Sequence, residues 1–386
     1  MAAPITSPTG HAFGKPRRLA SDPPGSNYSG NQPFQPVPPP VGIYPYHLDL
    51  ASVLGASAVE AIRVSGKMDF HVMGDSGGIN APLPQTDVAA ALEADVASGG
   101  PFTPSFLYLL GDCVYFNGQP SMYYAQFYEP YTHYNAPIVA VPGNHDGDPI
   151  DATQSTLDGF LQAFCTVTPQ NNPVSLDSGR TTMTQPNVYW TLDTPFATIV
   201  GLYTNVPEHG RLDDSQIAWL KNELRSAPAG KALLVTMHHP PISADSHHGS
   251  SQYMFDTVDQ AVAAAGRAPS IVLAGHVHNY QRFTRTVGGG AQIPYVVAGA
   301  GGYHTLHTMA SDAATAQLPW DMPGLQNVTL DAFDDKNYGF ARVTVTPTKL
   351  SLSYVQVAPE GGVAPSAITP RSEDTFTLDL NSLTVK

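Results

Sequence analysis

Long apolar runs are missing from this chain: nowhere do 18 or more apolar residues follow one another, which excludes an ordinary membrane-spanning helix. Cysteine is nearly missing too. Two thiols in 386 residues, Cys113 and Cys165, cannot build a disulfide framework; a single bridge stays open, although Cys113 reads better as a packed thiol. Positive charge is scarce, with 18 Lys and Arg against 32 Asp and Glu and a formal charge of −14. That balance argues against general binding to nucleic acid or to an anionic membrane. A phosphate-bearing partner would have to be drawn by local positive charge, which bound metal ions supply better than scattered lysines. The start of the chain lacks a charged segment followed by an apolar one, Met1 to Leu19 being polar and broken by Pro and Gly. No signal peptide is visible, so the expectation is a cytoplasmic protein or a secreted one whose leader has been removed.

The chain does have length and a hydrophobic content of 42%, enough to bury a sizeable core in one large domain or two. Residues 1–45 carry clusters such as Pro36-Val37-Pro38-Pro39-Pro40 and read as an extended arm laid on the domain that follows, 46–386. Residues 51–63 form a short helix or strand leading in. From Lys67 the pattern alternates. Met68–Met73, Ser105–Leu110 and Pro137–Val141 read as strands. Thr86–Ala97 has helical spacing, and Ser121–Tyr134 reads as an aromatic-rich helix. Residues 147–186 break the rhythm and look like an insertion. Val188–Leu192 and Ala197–Tyr203 look like a hairpin. Asp213–Leu224 is the best helix, with Ile217, Leu220 and Leu224 on one face. Ala232–Met237 and Ile271–Ala274 are strands flanking a helix over Tyr253–Ala265. Strands dominate thereafter. Early alternation followed by late strands suggests two sheets packed face to face with helices outside.

Five short polar islands sit where hydrophobic runs stop: Gly74-Asp75-Ser76-Gly77, Gly111-Asp112-Cys113-Val114-Tyr115, Gly143-Asn144-His145-Asp146, Val235-Thr236-Met237-His238 and Gly275-His276-Val277-His278. Strand ends are where sites gather in α/β sheets. Singly, each island has a bland reading, since an Asp after Gly is usually a turn residue and a lone His a hydrogen-bonded one. Together they supply a carboxylate able to bridge two cations, Asp112, and the donors Asp75, Tyr115, Asn144, His238, His276 and His278. A dinuclear site that hydrolyses phosphate esters needs such a set. The Gly-rich turn Gly299–Gly302 is no phosphate cradle, because the Walker spacing is absent.

In order, GDSG, GDCVY, GNHD, VTMH and GHVH resemble the five-block signature of calcineurin-like metallophosphoesterases, in the version carried by purple acid phosphatases. The superfamily usually opens with Asp-X-His, where this chain has Gly77; Tyr115 stands where purple acid phosphatases place a tyrosinate ligand. GHVHNYQR is also close to their last block. The resemblance covers roughly residues 67–300 and implies a four-layer α/β/β/α sandwich of two mixed β-sheets. It implies two metal ions: Fe(III) held by Asp75, Asp112, Tyr115 and His278, and a divalent Zn, Fe or Mn held by Asp112, Asn144, His238 and His276. Phenolate and carboxylates suit a hard trivalent ion, and imidazoles with an amide suit a divalent one.

The implied reaction is hydrolysis of phosphate monoesters, releasing inorganic phosphate. Hydroxide generated on the metal pair attacks phosphorus, and His145 assists the leaving group. Asp146 is grouped with the catalytic residues as an orienting carboxylate. His239, His247 and His248 are candidates for binding substrate; His304 and His307 are weaker ones. A phosphodiesterase of cyclic nucleotides or phospholipid-derived diesters is the alternative, and a non-catalytic scaffold the reading from another class.

Overall fold

The computed structural model describes residues 32–357 and 371–386. Most of the expected arm, residues 1–31, lies outside the described residues; residues 32–45 run without regular secondary structure. Val41 and Gly42 bond through their amides to Pro186 O, and Trp219 donates to Pro45 O.

In chain order the strands are β1 (His47–Asp49), β2 (Met68–Met73), β3 (Pro104–Leu109), β4 (Ile138–Ala140), β5 (Trp190–Asp193), β6 (Ala197–Gly201), β7 (Ala232–Met237) and β8 (Ile271–Ala274). Then follow β9 (Tyr280–Thr286), β10 (Gln292–Ala298), β11 (Trp320–Asp321), β12 (Val328–Asp334), β13 (Tyr338–Val345), β14 (Lys349–Val357), β15 (Arg371–Asp379) and β16 (Thr384–Val385). The helices are α1 (Leu50–Leu54), α2 (Ala56–Ser65), α3 (Leu83–Ala97), α4 (Asn144–Gly147), α5 (Asp158–Phe164), α6 (Asp214–Ser226), α7 (Gln252–Ala265) and α8 (Ser311–Thr315). They build two mixed sheets, of nine strands in the order β1-β5-β6-β7-β8-β10-β9-β12-β11 and of seven in the order β16-β15-β14-β13-β2-β3-β4.

Period-two side-chain alternation makes the layers. Phe106, Tyr108 and Leu110 face a core shared with Phe70, Val139, Ile199, Leu234 and Leu273, so it lies between the sheets. One residue out of phase, Leu107 and Leu109 join Val88 and Leu92 of α3 on the outer face. On the other sheet Leu233 and Val235 meet Trp219, Leu220 and Leu224 of α6 in the same way. Helix, sheet, sheet, helix is the four-layer sandwich expected. Each fully buried large apolar side chain contributes about 1.5–3 kcal/mol, which makes the strands a rigid base for what their ends carry.

Several local expectations fail for physical reasons. Ser121–Tyr134 is no single helix: a 3₁₀ turn at Pro120–Met122 passes into a wide-turn π segment at Tyr124–Tyr128 and then into turns. Its buried residues include Gln126, whose amide reaches the backbone of Tyr115, accepting at 2.9 Å and donating at 2.7 Å. Residues 51–63 form two helices, α1 and α2, parted at Gly55 with φ 86°. The inserted segment closes the edge of the seven-stranded sheet. Gln185 accepts from Ala140 N and donates to Ala140 O, both at 2.8 Å. Both cysteines are buried free thiols.

Candidate metal centre

β2, β3 and β4 run parallel in one sheet, and β7 and β8 run parallel in the other. Asp75, Asp112 and Asn144 follow the first three, and His238 and His276 follow the last two, so the five polar islands meet at strand C-terminal ends from both sheets. Asp75, Asp112 and His276 have φ of 59°, 51° and 68°. The left-handed region is costly for residues other than glycine, and such strain gathers at functional sites. Two glycines are needed for the loops to approach so closely. A Cβ on Gly111 would lie 2.5 Å from His238 Nδ1, and one on Gly143 would lie 2.1 Å from Asp112 Oδ1.

Seven side chains converge in two sets. In the first, Tyr115 Oη lies 3.4 Å from Asp75 Oδ1 and 3.3 Å from His278 Nε2, and the third edge is 3.5 Å. In the second, Asn144 Oδ1 lies 2.8 Å from His238 Nε2 and 3.0 Å from His276 Nδ1, with Asp112 Oδ2 3.3 Å from His238 Nε2. Donors about 2.1 Å from a shared ion stand about 3.0 Å apart in an octahedral arrangement and about 3.4 Å apart in a tetrahedral one. The observed edges have that size.

The proton count agrees. His238 Nδ1–H donates to Leu110 O at 2.8 Å, and His278 Nδ1–H donates to Thr305 O at 2.9 Å. Despite burial, the Asp112 carboxylate raises the His238 pKa to about 9, so without a cation its Nε2 carries a proton toward Asp112 and Asn144; a bound cation would take that proton's place. Asp112 Oδ2 is buried with no hydrogen-bond partner. The Tyr115 hydroxyl and a proton on His238 satisfy part of these sets, and cations would replace those protons; the residues present fit a pair of metal ions.

The electrostatics say the same. Burial pushes the Asp75 carboxyl and the Tyr115 phenol up, and in each the neighbouring carboxylate of Asp112 adds to the effect. Burial also opposes ionisation of Asp112, but His238 and His145 hold its carboxyl below the usual range. Left to themselves, these three acids cannot all ionise; positive charge would reverse that.

The departure at the first block has a steric counterpart. A Cβ on Gly77 would lie 2.8 Å from Tyr115 Cδ2 and 2.7 Å from Gln126 Oε1. The tyrosine ring fills the space that a histidine at this position would need.

The neighbouring residues divide by their contacts. His145 donates its backbone amide to Asp112 Oδ1 at 2.9 Å and its Nδ1–H to Phe116 O at 2.9 Å. Its Nδ1 is thereby committed to the backbone, and burial lowers the pKa of the ring. Asp146, expected to orient a ligand or the loop, is fully buried and accepts from Gly143 N at 2.8 Å and from Cys113 N and Val114 N, both at 3.2 Å. It clips the second island to the third. His239 lies behind the site rather than at its rim. Its ring is fully buried, with Nδ1 2.7 Å from Thr204 Oγ1 and its centroid 4.3 Å from His276.

His247 is exposed, stacked on His307, and His248 sits beside His276 with ring centroids 4.1 Å apart. Their loop, which looks mobile in sequence, is tied down by Asp245, which accepts the amides of His247, His248 and Gly249 at 2.7–2.9 Å. His307 is closer in than expected: its Nδ1 accepts the amide of His278 at 3.2 Å, and its ring stacks 4.1 Å from that of His278. Sequence reasoning missed Glu208, which contacts His248, and Gln126, which brackets Tyr115. Glu208 lies outside every motif, and its only sequence signal is a place in the loop after a strand.

A family model described as calcineurin-like phosphoesterase matches residues 68–280, more than half of the chain and all seven candidate ligands. A "Probable cyclic nucleotide phosphodiesterase" of Rhodococcus erythropolis is 27% identical over 216 residues, covering 54% of this chain and 62% of that protein. "Tartrate-resistant acid phosphatase type 5" of Sus scrofa is 24% identical over 307 residues, covering 75% of this chain and 83% of that protein. The purple acid phosphatase of yellow lupin, Lupinus luteus, shares the fold with a TM-score of 0.57 at 16% identity, over 81% of this chain and 54% of the lupin chain. The chain thus spans less than two thirds of the Rhodococcus relative and about half of the lupin protein.

Proposed function

This chain belongs to the calcineurin-like phosphoesterase family, and from that premise we propose that it hydrolyses phosphate monoesters at a dinuclear metal site of the purple acid phosphatase type. The observation that carries the reading is the Tyr115 hydroxyl standing 3.3–3.4 Å from both His278 and Asp75. Asp75, Tyr115 and His278 would hold Fe(III), Asn144, His238 and His276 would hold Zn, Fe or Mn in the divalent state, and Asp112 would serve both. When bound, the pair supplies Lewis acidity that generates a nucleophile from water near neutral pH and offsets phosphoryl charge.

The chain's own residues do the rest. His145 Nε2 protonates the leaving alkoxide as the phosphorus–oxygen bond breaks, and its Nδ1–H, held by Phe116 O, fixes the ring for that task. Asp146 keeps Asp112 and Asn144 in register through three backbone amides. His248 and His247 bind the phosphoryl group or its leaving group from the rim. The products are an alcohol and inorganic phosphate. A diesterase reading is favoured by the likeness to the Rhodococcus protein, named a probable cyclic nucleotide phosphodiesterase.

The test is the visible absorption spectrum of the oxidised protein with metal content measured on the same sample, followed by parallel assays on aryl monoesters and cyclic diesters. A broad visible band, one iron per chain and faster monoester turnover support the proposal. A colourless protein with two divalent ions that prefers diesters overturns it in favour of the second reading.

A further inference from the structure

Glu208 belongs to no island, yet it touches two of the site's imidazoles. It sits in the loop between β6 and α6, which folds back on itself through Gly210 N to Pro207 O and Arg211 N to Thr204 O, both at 2.7 Å. Asn205 pins the same loop to the arm. Its Oδ1 accepts Gln35 N at 2.8 Å, and its Nδ2 donates to Gln35 O at 2.9 Å. His209 O in turn accepts the hydroxyl of Ser251 at the start of α7. The Glu208 carboxylate is thus delivered by a fixed loop.

One of its oxygens accepts a hydrogen bond from His248 Nδ1 and lies 3.8 Å from His276 Nε2. That Nε2 is buried and has no hydrogen-bond partner, while Nδ1 of the same ring faces Asn144 Oδ1 at 3.0 Å. Glu208, His248 and His276 thus form a compact group beside the second ligand set.

We propose that Glu208 is a positioning residue of the site, one carboxylate that fixes two imidazoles. By accepting from Nδ1 of His248 it leaves that ring's Nε2 for the substrate. By facing Nε2 of His276 it favours the tautomer with its proton there and a bare Nδ1 turned toward Asn144 and His238. A carboxylate behind a ligating histidine sets ring orientation and raises donor strength, and its loss typically costs 10–100-fold in metal affinity or activity. This rests on the dinuclear reading above but does not depend on which ester is cleaved.

The experiment compares the full metal-loaded chain with Glu208→Gln and Glu208→Asp. It measures retention of the divalent ion against a chelator, kcat and KM on a small aryl phosphate, and thermal midpoint. Expected for Glu208→Gln are about tenfold weaker ion retention, a fall in kcat larger than any rise in KM, and an unchanged midpoint, with partial recovery in Glu208→Asp. Parental ion retention and kcat in Glu208→Gln would overturn the proposal, as would Glu208→Asp doing no better than Glu208→Gln. If the parent cleaves no ester while Glu208→Gln still loses its ion more readily, the hydrolytic reading fails and the positioning role stands.

Discussion

Two buried clusters of acids and imidazoles lie in this molecule, and they are built on opposite terms. On the outer face of the seven-stranded sheet, His71 sits between Asp95 Oδ2 at 2.8 Å and Tyr134 Oη at 3.0 Å. Arg342 grips both oxygens of Asp95, at 2.6 and 2.5 Å. Burial keeps His71 neutral, and despite burial the His71 and Arg342 bonds hold the Asp95 carboxyl low. Charge and hydrogen bonds close on themselves, so the cluster needs no visitor. At the strand ends the account stays open: Asp75, Asp112, Tyr115, Asn144 and three histidines converge on two points, and buried Asp112 Oδ2 has no hydrogen bond, only His238 Nε2 at 3.3 Å. What separates a structural cluster from a functional one here is whether the groups satisfy each other.

The sharpest way to break that contrast is to neutralise one carboxylate in each cluster. Asp112→Asn should lower phosphoesterase activity by about 10³-fold or more, because transition-state stabilisation of several kcal/mol would be lost with the proposed shared ligand. Metal content should fall with it, and the thermal midpoint of the metal-free protein should change little. Asp95→Asn should do the reverse. Removing one partner of a buried charge pair costs about 3 kcal/mol, read as a lower urea midpoint, while activity per folded molecule stays near the parent's. Equal effects of both variants on stability would erase the distinction.

A smaller effect separates chemistry from metal binding within the site. His145→Ala should cut kcat by about 10²-fold with both ions retained by elemental analysis; loss of an ion would make His145 a structural residue.

The smallest effect concerns a cluster of intermediate kind. His47 bridges Asp193 at 2.7 Å and Glu223 at 2.8 Å, tying β1 to β5 and α6. Hydrogen bonds to Asp193 and Glu223 push its imidazole up from 6.5 to about 10. A raised pKa means the folded state holds the proton more tightly. The stabilisation is therefore complete below about pH 6.5 and is lost as pH rises through about 10. The pH dependence of the urea midpoint over that window should flatten in His47→Gln; an unchanged slope would remove His47 from the account.

Sequence patterning carried far in this chain because the strands are buried on both faces and end abruptly at polar islands. β2, β3, β7 and β8 lie within a residue or two of their expected places, and each island falls at an edge that the pattern marks. Reading failed where burial comes from all sides. The aromatic segment after Tyr115 has no single apolar face, and helical spacing there mimicked a helix that Gln126 breaks by turning inward. Reading is incomplete at His239, whose ring is fully buried between Thr204 and the rings of His238 and His276. Adjacency along a loop does not fix direction.

By itself, the sequence determined the chemistry on offer: which donors exist, that they stand at strand ends, and that a tyrosine replaces the histidine of the first block. Residue type and local period suffice for that, because backbone geometry converts them directly into strands and turns. Only the tertiary structure decided which nitrogens of His238 and His278 face backbone carbonyls, that Gly77 yields its space to the Tyr115 ring, and that Glu208 reaches His248 and His276. Those facts depend on groups distant along the chain meeting, from the 40-residue separation of His248 and Glu208 to the 128-residue separation of His238 and Leu110. No local rule carries information that far; packing supplies it.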